Sequence, residues 1–138
     1  MHQQLRKRDC RAYQSDLKVY VSHNEQFYPD IILLCGEPKF EADSKDKLVN
    51  PNVIIEVLSP STSNFDRGGK FVSYRKLDSL QHYILVSQDK MMIEHYYRQS
   101  DGTWLLSILE NEGLSLSITA IDCQLNMVDV YEKVDFLA

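Results

Sequence analysis

The sequence predicts an α/β (α+β) fold, a mixed β-sheet with flanking helices, in a chain of 138 residues. Three observations carry this expectation. The runs IILL at 31–34 and VIIEVL at 53–58 are apolar in the manner of strands covered on both faces. The cluster SPSTS, whose residues stop strands and cap helices, follows the second run directly. Further strand-like segments then crowd the rest of the chain, two of them joined across Asp101-Gly102, a strong hairpin signal.

Taken in order, residues 17–22 (LKVYVS) alternate and read as a half-buried strand. Residues 27–35 (FYPDIILLC) form an aromatic and β-branched run ended by Gly36 and Pro38. Residues 39–52 are polar, carry both signs of charge and read as a surface loop. The most strand-like segment is 51–58. From 62 to about 77 a helix is expected, with Ser63 as N-cap and Asp66 completing a capping box. Gly68-Gly69 weakens that helix by roughly 1 kcal/mol per glycine relative to alanine, and such a pair often marks a close backbone approach. Strands are expected at 81–87, 91–99 and 103–110, a short one near 114–118, and a brief helix over 128–136. The stretch before 17 is basic and compatible with a helix. No repeat or linker divides the chain, so residues 1–138 are read as one domain.

Composition narrows the function. The net charge of −5 and pI near 5.3 argue against a protein whose main task is tight, nonspecific DNA binding, because such affinity comes from many phosphate contacts. They leave room for an enzyme acting on DNA through local basic clusters, such as Arg6, Lys7, Arg8 and Arg11, or Arg67, Lys70, Arg75 and Lys76. A solvated helix face explains either cluster equally well. No apolar run approaches the roughly 20 residues that cross a bilayer, and the first residues lack a signal-like apolar stretch, so a cytoplasmic, membrane-free protein is expected. Cys10, Cys35 and Cys123 are odd in number and lack CxxC spacing, which suggests neither a disulfide framework nor a zinc site. Cys35 reads as a small core residue. His2, His23, His82 and His95 show no zinc-binding spacing, and the two in strands read as packing or surface groups.

One feature stands apart. Asp30 and Glu56 are carboxylates inside runs that otherwise read as buried, and a buried ionised carboxylate is costly unless paired or bound to a metal. Each acid could instead lie at a strand edge or pair with a base; two together, followed by a lysine-bearing helix, favour a shared divalent cation. Asp66, Lys70 and Tyr74 are spaced by four and line one helical face. That face can aim Lys70 at the end of the Glu56 strand, although an Asp66–Lys70 pair with Tyr74 packed beside it accounts for the spacing as well.

YPDIILLC, NPNVIIEVLSPSTSNFDRGGKFVSYRKL and QHYILVSQDKMMIEHYYR together resemble the Uma-two family of restriction endonucleases, within the PD-(D/E)XK nuclease superfamily. The resemblance runs from about 17 to 131. It implies a restriction-endonuclease-like fold, N-terminally short, and a Mg²⁺- or Mn²⁺-dependent endonuclease that hydrolyses DNA phosphodiester bonds. Asp30 and Glu56 match the two acids and would ligate the metal, with the backbone carbonyl of Val57 as a further ligand. The superfamily usually places its lysine two residues after the second acid. Leu58 stands there, and Lys70 on the following helix is the replacement. Ser59, Asp66 and Tyr74 would support the site, and Arg67, Arg75 and Lys76 would meet DNA. Members of the family carry further residues before the point where this chain starts, so an exposed sheet edge and a homodimer are expected. The alternative is a truncated or inactive nuclease fold serving as a DNA-binding or assembly module. A glycosidase using the two acids would need an open sugar cleft that nothing in the sequence suggests.

Overall fold

A computed structural model of the chain describes residues 9–42 and 44–132. Its centre is a six-stranded sheet. The strands are β1 (Cys10–Gln14), β4 (Ile31–Cys35), β6 (Val53–Leu58), β7 (His82–Ser87), β8 (Ile93–Arg98) and β9 (Trp104–Leu109), neighbours in that order. Only β6 and β7 run parallel; the other pairs are antiparallel. The parallel pair is joined by the helical segment, because parallel neighbours need a crossover.

Both faces of the sheet are covered, as the unalternated runs predict. On one face Ile32, Leu34, Ile54, Leu58, Tyr83 and Leu85 pack beneath Tyr74, Leu77 and Leu80 of the crossover and Val19 and Leu48 of a small second sheet. That second sheet consists of β2 (Lys18–Ser22), β3 (Glu25–Phe27) and β5 (Lys47–Leu48). On the other face Leu33, Val53, Ile55, Ile84 and Ile93 meet the hairpin of β10 (Ser115–Ile118) and β11 (Cys123–Asn126) and the short helix that follows it.

Several expectations need correction. Residues 10–14, read as part of a basic and helix-compatible stretch, form a strand that pairs along its whole length with β4. Arg6, Lys7 and Arg8 lie outside the described residues. Cys10 and Cys35 are register partners on those strands and are joined as a disulfide, which the odd cysteine count concealed. The polar segment 39–52 contributes β5 and the fully buried Leu48; two paired residues are too few to show a period. The crossover is two helices, α1 (Ser63–Arg67) and α2 (Gly69–Tyr74), broken at Gly68. The N-cap is Thr62, and no side chain caps the helix, so the Ser63–Asp66 capping box does not form. Gly69 does mark a close approach: a Cβ there would stand 2.6 Å from the Phe65 ring. The terminal helix is α3 (Met127–Val130), and residues 133–136 of that expectation lie outside the described residues.

At the N-terminal end of β7, His82 and His95 form a buried, stacked pair beside Tyr97. The Ala120 N–H donates to His82 Nε2 at 3.1 Å, which leaves the proton on Nδ1 to donate to His95 Nε2 at 2.8 Å. Burial, joined for His82 by the facing imidazole, lowers both from the ordinary 6.5 to about 4. The folded chain therefore refuses protons that the unfolded chain accepts below pH 6.5. Stability is full above that pH and falls as pH drops from 6.5 toward 4, by about 2 kcal/mol per imidazole at pH 5. Thermal melts at pH 7.5 and 5.0 should show this loss, and His95→Gln should flatten it; a dependence unchanged in the variant would assign the effect elsewhere.

Candidate active site

The site grows from the register of β4 against β6. Ile31 pairs with Ile55, and one step further the antiparallel ladder sets Asp30 opposite Glu56. The two are clasped reciprocally. The Asp30 N–H donates to Glu56 Oε1 at 2.9 Å, and the Val57 N–H donates to Asp30 Oδ2 at 2.7 Å. Glu56 is 2% exposed, as expected of a carboxylate inside a covered strand. Asp30 is not buried: it precedes β4 and is exposed, so it meets solvent where Glu56 cannot. Pro29 before it is buried, and the interruption at residues 28–30 separates β3 from β4 where one strand was expected.

Glu56 points to the face covered by the crossover helices. There Lys70, the second residue of α2, donates from Nζ to Glu56 Oε2 at 2.9 Å and lies 3.0 Å from Asp66 Oδ1. The two readings of the helical face thus coincide: Lys70 pairs with Asp66 and also reaches Glu56. Asp66 is 2% exposed, and its backbone carbonyl accepts a 2.7 Å hydrogen bond from the Tyr83 hydroxyl, which ties α1 to β7. Tyr74 packs edge-on to Phe27 one turn past Lys70; its hydroxyl is buried without a hydrogen-bond partner among the described residues. Burial first, then the nearby charge of Glu56, makes that phenol harder to ionise.

Burial also raises Glu56 above the usual carboxylate range, against the opposing pull of the Asp30 N–H and of Lys70. For Lys70, burial would lower the ammonium, but Glu56 and Asp66 outweigh it and hold it above its ordinary value. Lys70 therefore stays protonated at neutral pH. Three carboxylates, Asp30, Glu56 and Asp66, against one ammonium leave the cluster with a formal net charge of −2. The oxygen atoms of Asp30 and Glu56 are hard donors, so both charge and donor chemistry fit a divalent cation such as Mg²⁺ or Mn²⁺. Among the described residues no three His, Cys, Asp or Glu side chains are grouped to hold a metal, so a ligand set here would be two carboxylates completed by backbone or water.

Ser59 shapes the turn out of β6: its carbonyl accepts the Thr62 and Ser63 N–H groups, and its hydroxyl lies 2.9 Å from Thr62 Oγ1. Arg67 and Lys76 are engaged in ion pairs. Arg67 Nε donates to both oxygens of Glu94, at 3.1 and 2.8 Å, and Lys76 Nζ lies 2.7 Å from Glu25 on β3. Arg75 is exposed just past α2. Glu94 escaped the sequence reading. It is a buried carboxylate on β8, and Leu85 pairs with it on one side and with Glu56 on the other, so the two acids share one row of the sheet. A carboxylate between Ile93 and His95 in a strand was the available signal.

The fold and the sequence both have known counterparts. The architecture matches the crystal structure of "a putative nuclease belonging to DUF820" from Anabaena variabilis with a TM-score of 0.74, over 94% of this chain and 73% of that one. At 17% identity that likeness is one of fold. The uncharacterized proteins sll1609 and slr1290 of Synechocystis sp. are 36% and 38% identical over 81% and 82% of this chain. The chain spans 64% and 63% of their length. Residues 1–128 match a family model, and the chain, with its mixed six-stranded sheet, belongs to the Uma2 family, described as "putative restriction endonuclease".

Proposed function

We propose that this chain is a metal-dependent endonuclease that hydrolyses DNA phosphodiester bonds. The observation that carries the reading is the Asp30–Glu56–Lys70 cluster, whose oxygen donors and net charge of −2 suit a divalent cation. Asp30 and Glu56 would hold the ion, with the Val57 carbonyl as a further ligand. When bound, Mg²⁺ or Mn²⁺ supplies Lewis acidity and a water acidic enough to attack near neutral pH. The residues do the rest. Asp30, exposed and fixed through Oδ2 by the Val57 N–H, is the acid that an ion arriving from solvent would meet first. Lys70 is protonated, so it orients water and stabilises negative charge developing on phosphate oxygens rather than accepting a proton. Ser59, Asp66 and Tyr74 hold the frame in which Lys70 and Glu56 meet.

A cytoplasmic setting belongs to this proposal, because DNA is there. Among the described residues no helix is long and apolar enough to cross a membrane. The cytoplasmic thiol pool would keep Cys10 and Cys35 reduced, with β1 held by its ladder alone. A homodimer belongs to it as well, supported by the edge strand β9, which exposes Leu105, Leu106 and Ile108.

The second reading, a binding or assembly module in the same fold, draws on the fact that both Glu56 oxygens already carry hydrogen bonds. Plasmid DNA incubated with the protein and Mg²⁺ or Mn²⁺ separates the two. Nicking or linearisation that EDTA stops supports the nuclease; intact DNA at micromolar protein, with retained DNA binding, supports the module.

A further inference from the structure

Beside the acid cluster, at the carboxyl ends of the parallel strands β6 and β7, lies a cleft of about 150 Å³. Crevices at such strand ends are where α/β sheets bind ligands. Its walls carry the hydroxyl-bearing Ser59, Ser63 and Ser87, the cationic Arg67 and Lys90, and Asp89. Arg67 is the informative member. Glu94, buried on β8, takes the Nε edge of its guanidinium through both oxygens, which fixes the group in place. No hydrogen bond from either η nitrogen is made among the described residues. A guanidinium held by one edge presents a preorganised fork of donors, the geometry that suits a phosphate. Because a buried carboxylate already immobilises the side chain, little rotamer freedom is left to lose on binding.

The distance to the metal ligands is set by the chain. Leu58, on the cleft wall, is two residues beyond Glu56, a span of about 6.6 Å at roughly 3.3 Å per strand residue. Successive phosphates of one DNA strand advance about 3.4 Å along the helix axis. The cleft is therefore one or two nucleotides from the acid cluster. Asp89 next to Lys90 opposes an anion, so the site favours a phosphate that brings further contacts over a free ion.

We propose that this cleft binds a backbone phosphate next to the one that is cut, gripped by the η groups of Arg67, by Lys90 and by the serine hydroxyls, and so fixes where the strand lies across the acids. The inference rests on the nuclease reading. Its test is the binding of a fluorescent 20-base-pair duplex in Ca²⁺ across a salt series, followed by anisotropy, with Mn²⁺ calorimetry on each protein. Lys90→Gln, an exposed change that spares the fold, should weaken binding 5–10-fold and reduce the salt slope by about 0.9, one phosphate contact. Arg67→Lys, which keeps the charge facing Glu94 but loses the fork, should weaken binding several-fold with little change of slope. Both should bind Mn²⁺ as the unaltered protein does. If the unaltered protein binds DNA and Mn²⁺ but both variants match it in affinity and slope, the cleft is not a phosphate site and the nuclease reading stands. If the unaltered protein binds Mn²⁺ but no DNA, the cleft assignment is overturned, and the plasmid-cleavage test decides the nuclease reading separately. If it binds neither, the nuclease reading fails and the cleft fails with it.

Discussion

Replacing Glu56 with glutamine is expected to remove Mn²⁺ binding and to lower DNA cleavage by at least about 100-fold while leaving the chain folded. The side chain has opposite effects on stability and on function. Its burial at 2% exposure raises the carboxylate above its usual range, so the folded chain binds its proton more tightly than the unfolded one. Stability from this group is full at low pH and is lost as pH rises through the raised value, which makes the ionised acid a burden at neutral pH that a cation relieves. Glutamine removes that burden. It also turns one oxygen into a donor, against either the Asp30 N–H or the Lys70 ammonium, and so gives up a hydrogen bond worth about 1 kcal/mol. These effects offset, and the metal-free melting temperature should move by only a few degrees. Mn²⁺ should raise the melting temperature of the unaltered protein and not that of Glu56→Gln. Asp30→Asn should lose metal binding too, with an even smaller change in stability, because Asp30 is exposed. Calorimetric Mn²⁺ binding unaffected by either substitution would sink the metal-site proposal.

Lys70→Met should behave in the opposite way, as a defect of folding first. The ammonium lies between Glu56 and Asp66, both buried, at 2.9 and 3.0 Å. Methionine keeps much of the length and leaves two buried carboxylates without their counter-charge. Removing one member of a buried ion pair costs about 3–5 kcal/mol. The loss should be smaller at pH 5 than at pH 8, because Glu56, already raised and now without its cation, takes up a proton instead of remaining charged. Mn²⁺ should stabilise Lys70→Met more than it stabilises the unaltered protein, since it would then supply the only positive charge in the cluster. Cleavage at saturating Mn²⁺ should nevertheless stay low, and Lys70→Arg should restore stability better than rate. Urea unfolding with and without Mn²⁺ reads the first part and plasmid cleavage the second. A variant as stable as the parent at pH 8 would show that the pair contributes nothing.

How much of this was legible in the residues depends on how local each feature is. The strand at residues 53–58, its abrupt end, the Asp101-Gly102 hairpin and the crossover position of the helical segment all follow from short-range pattern, and all are present. So is the spacing that sets Asp66 and Lys70 on one face, since the helical period of about 3.6 residues operates within a few neighbours. The motif around Glu56 also led to the family, because the residues that resemble it are contiguous. What failed was of two kinds. Segments too short to carry a period, such as 47–48, or masked by a basic composition, such as 10–14, gave no signal although the ladder recruits them. And Asp30 read as buried because it adjoins IILL, whereas the irregular stretch at residues 28–30 brings it to solvent.

The sequence by itself thus determined the periods: which runs are strands, which stretch crosses over, and that Glu56 sits in a strand meant for the interior. Only the tertiary structure decided the pairings. Asp30 faces Glu56 because β4 lies antiparallel to β6 in the register that sets Ile31 against Ile55. Cys10 faces Cys35, and Glu94 shares a row with Glu56 through Leu85, for the same kind of reason. Register and strand order are settled by which whole faces can be buried against one another, and that sum runs over residues far apart in the chain, where no local period reaches.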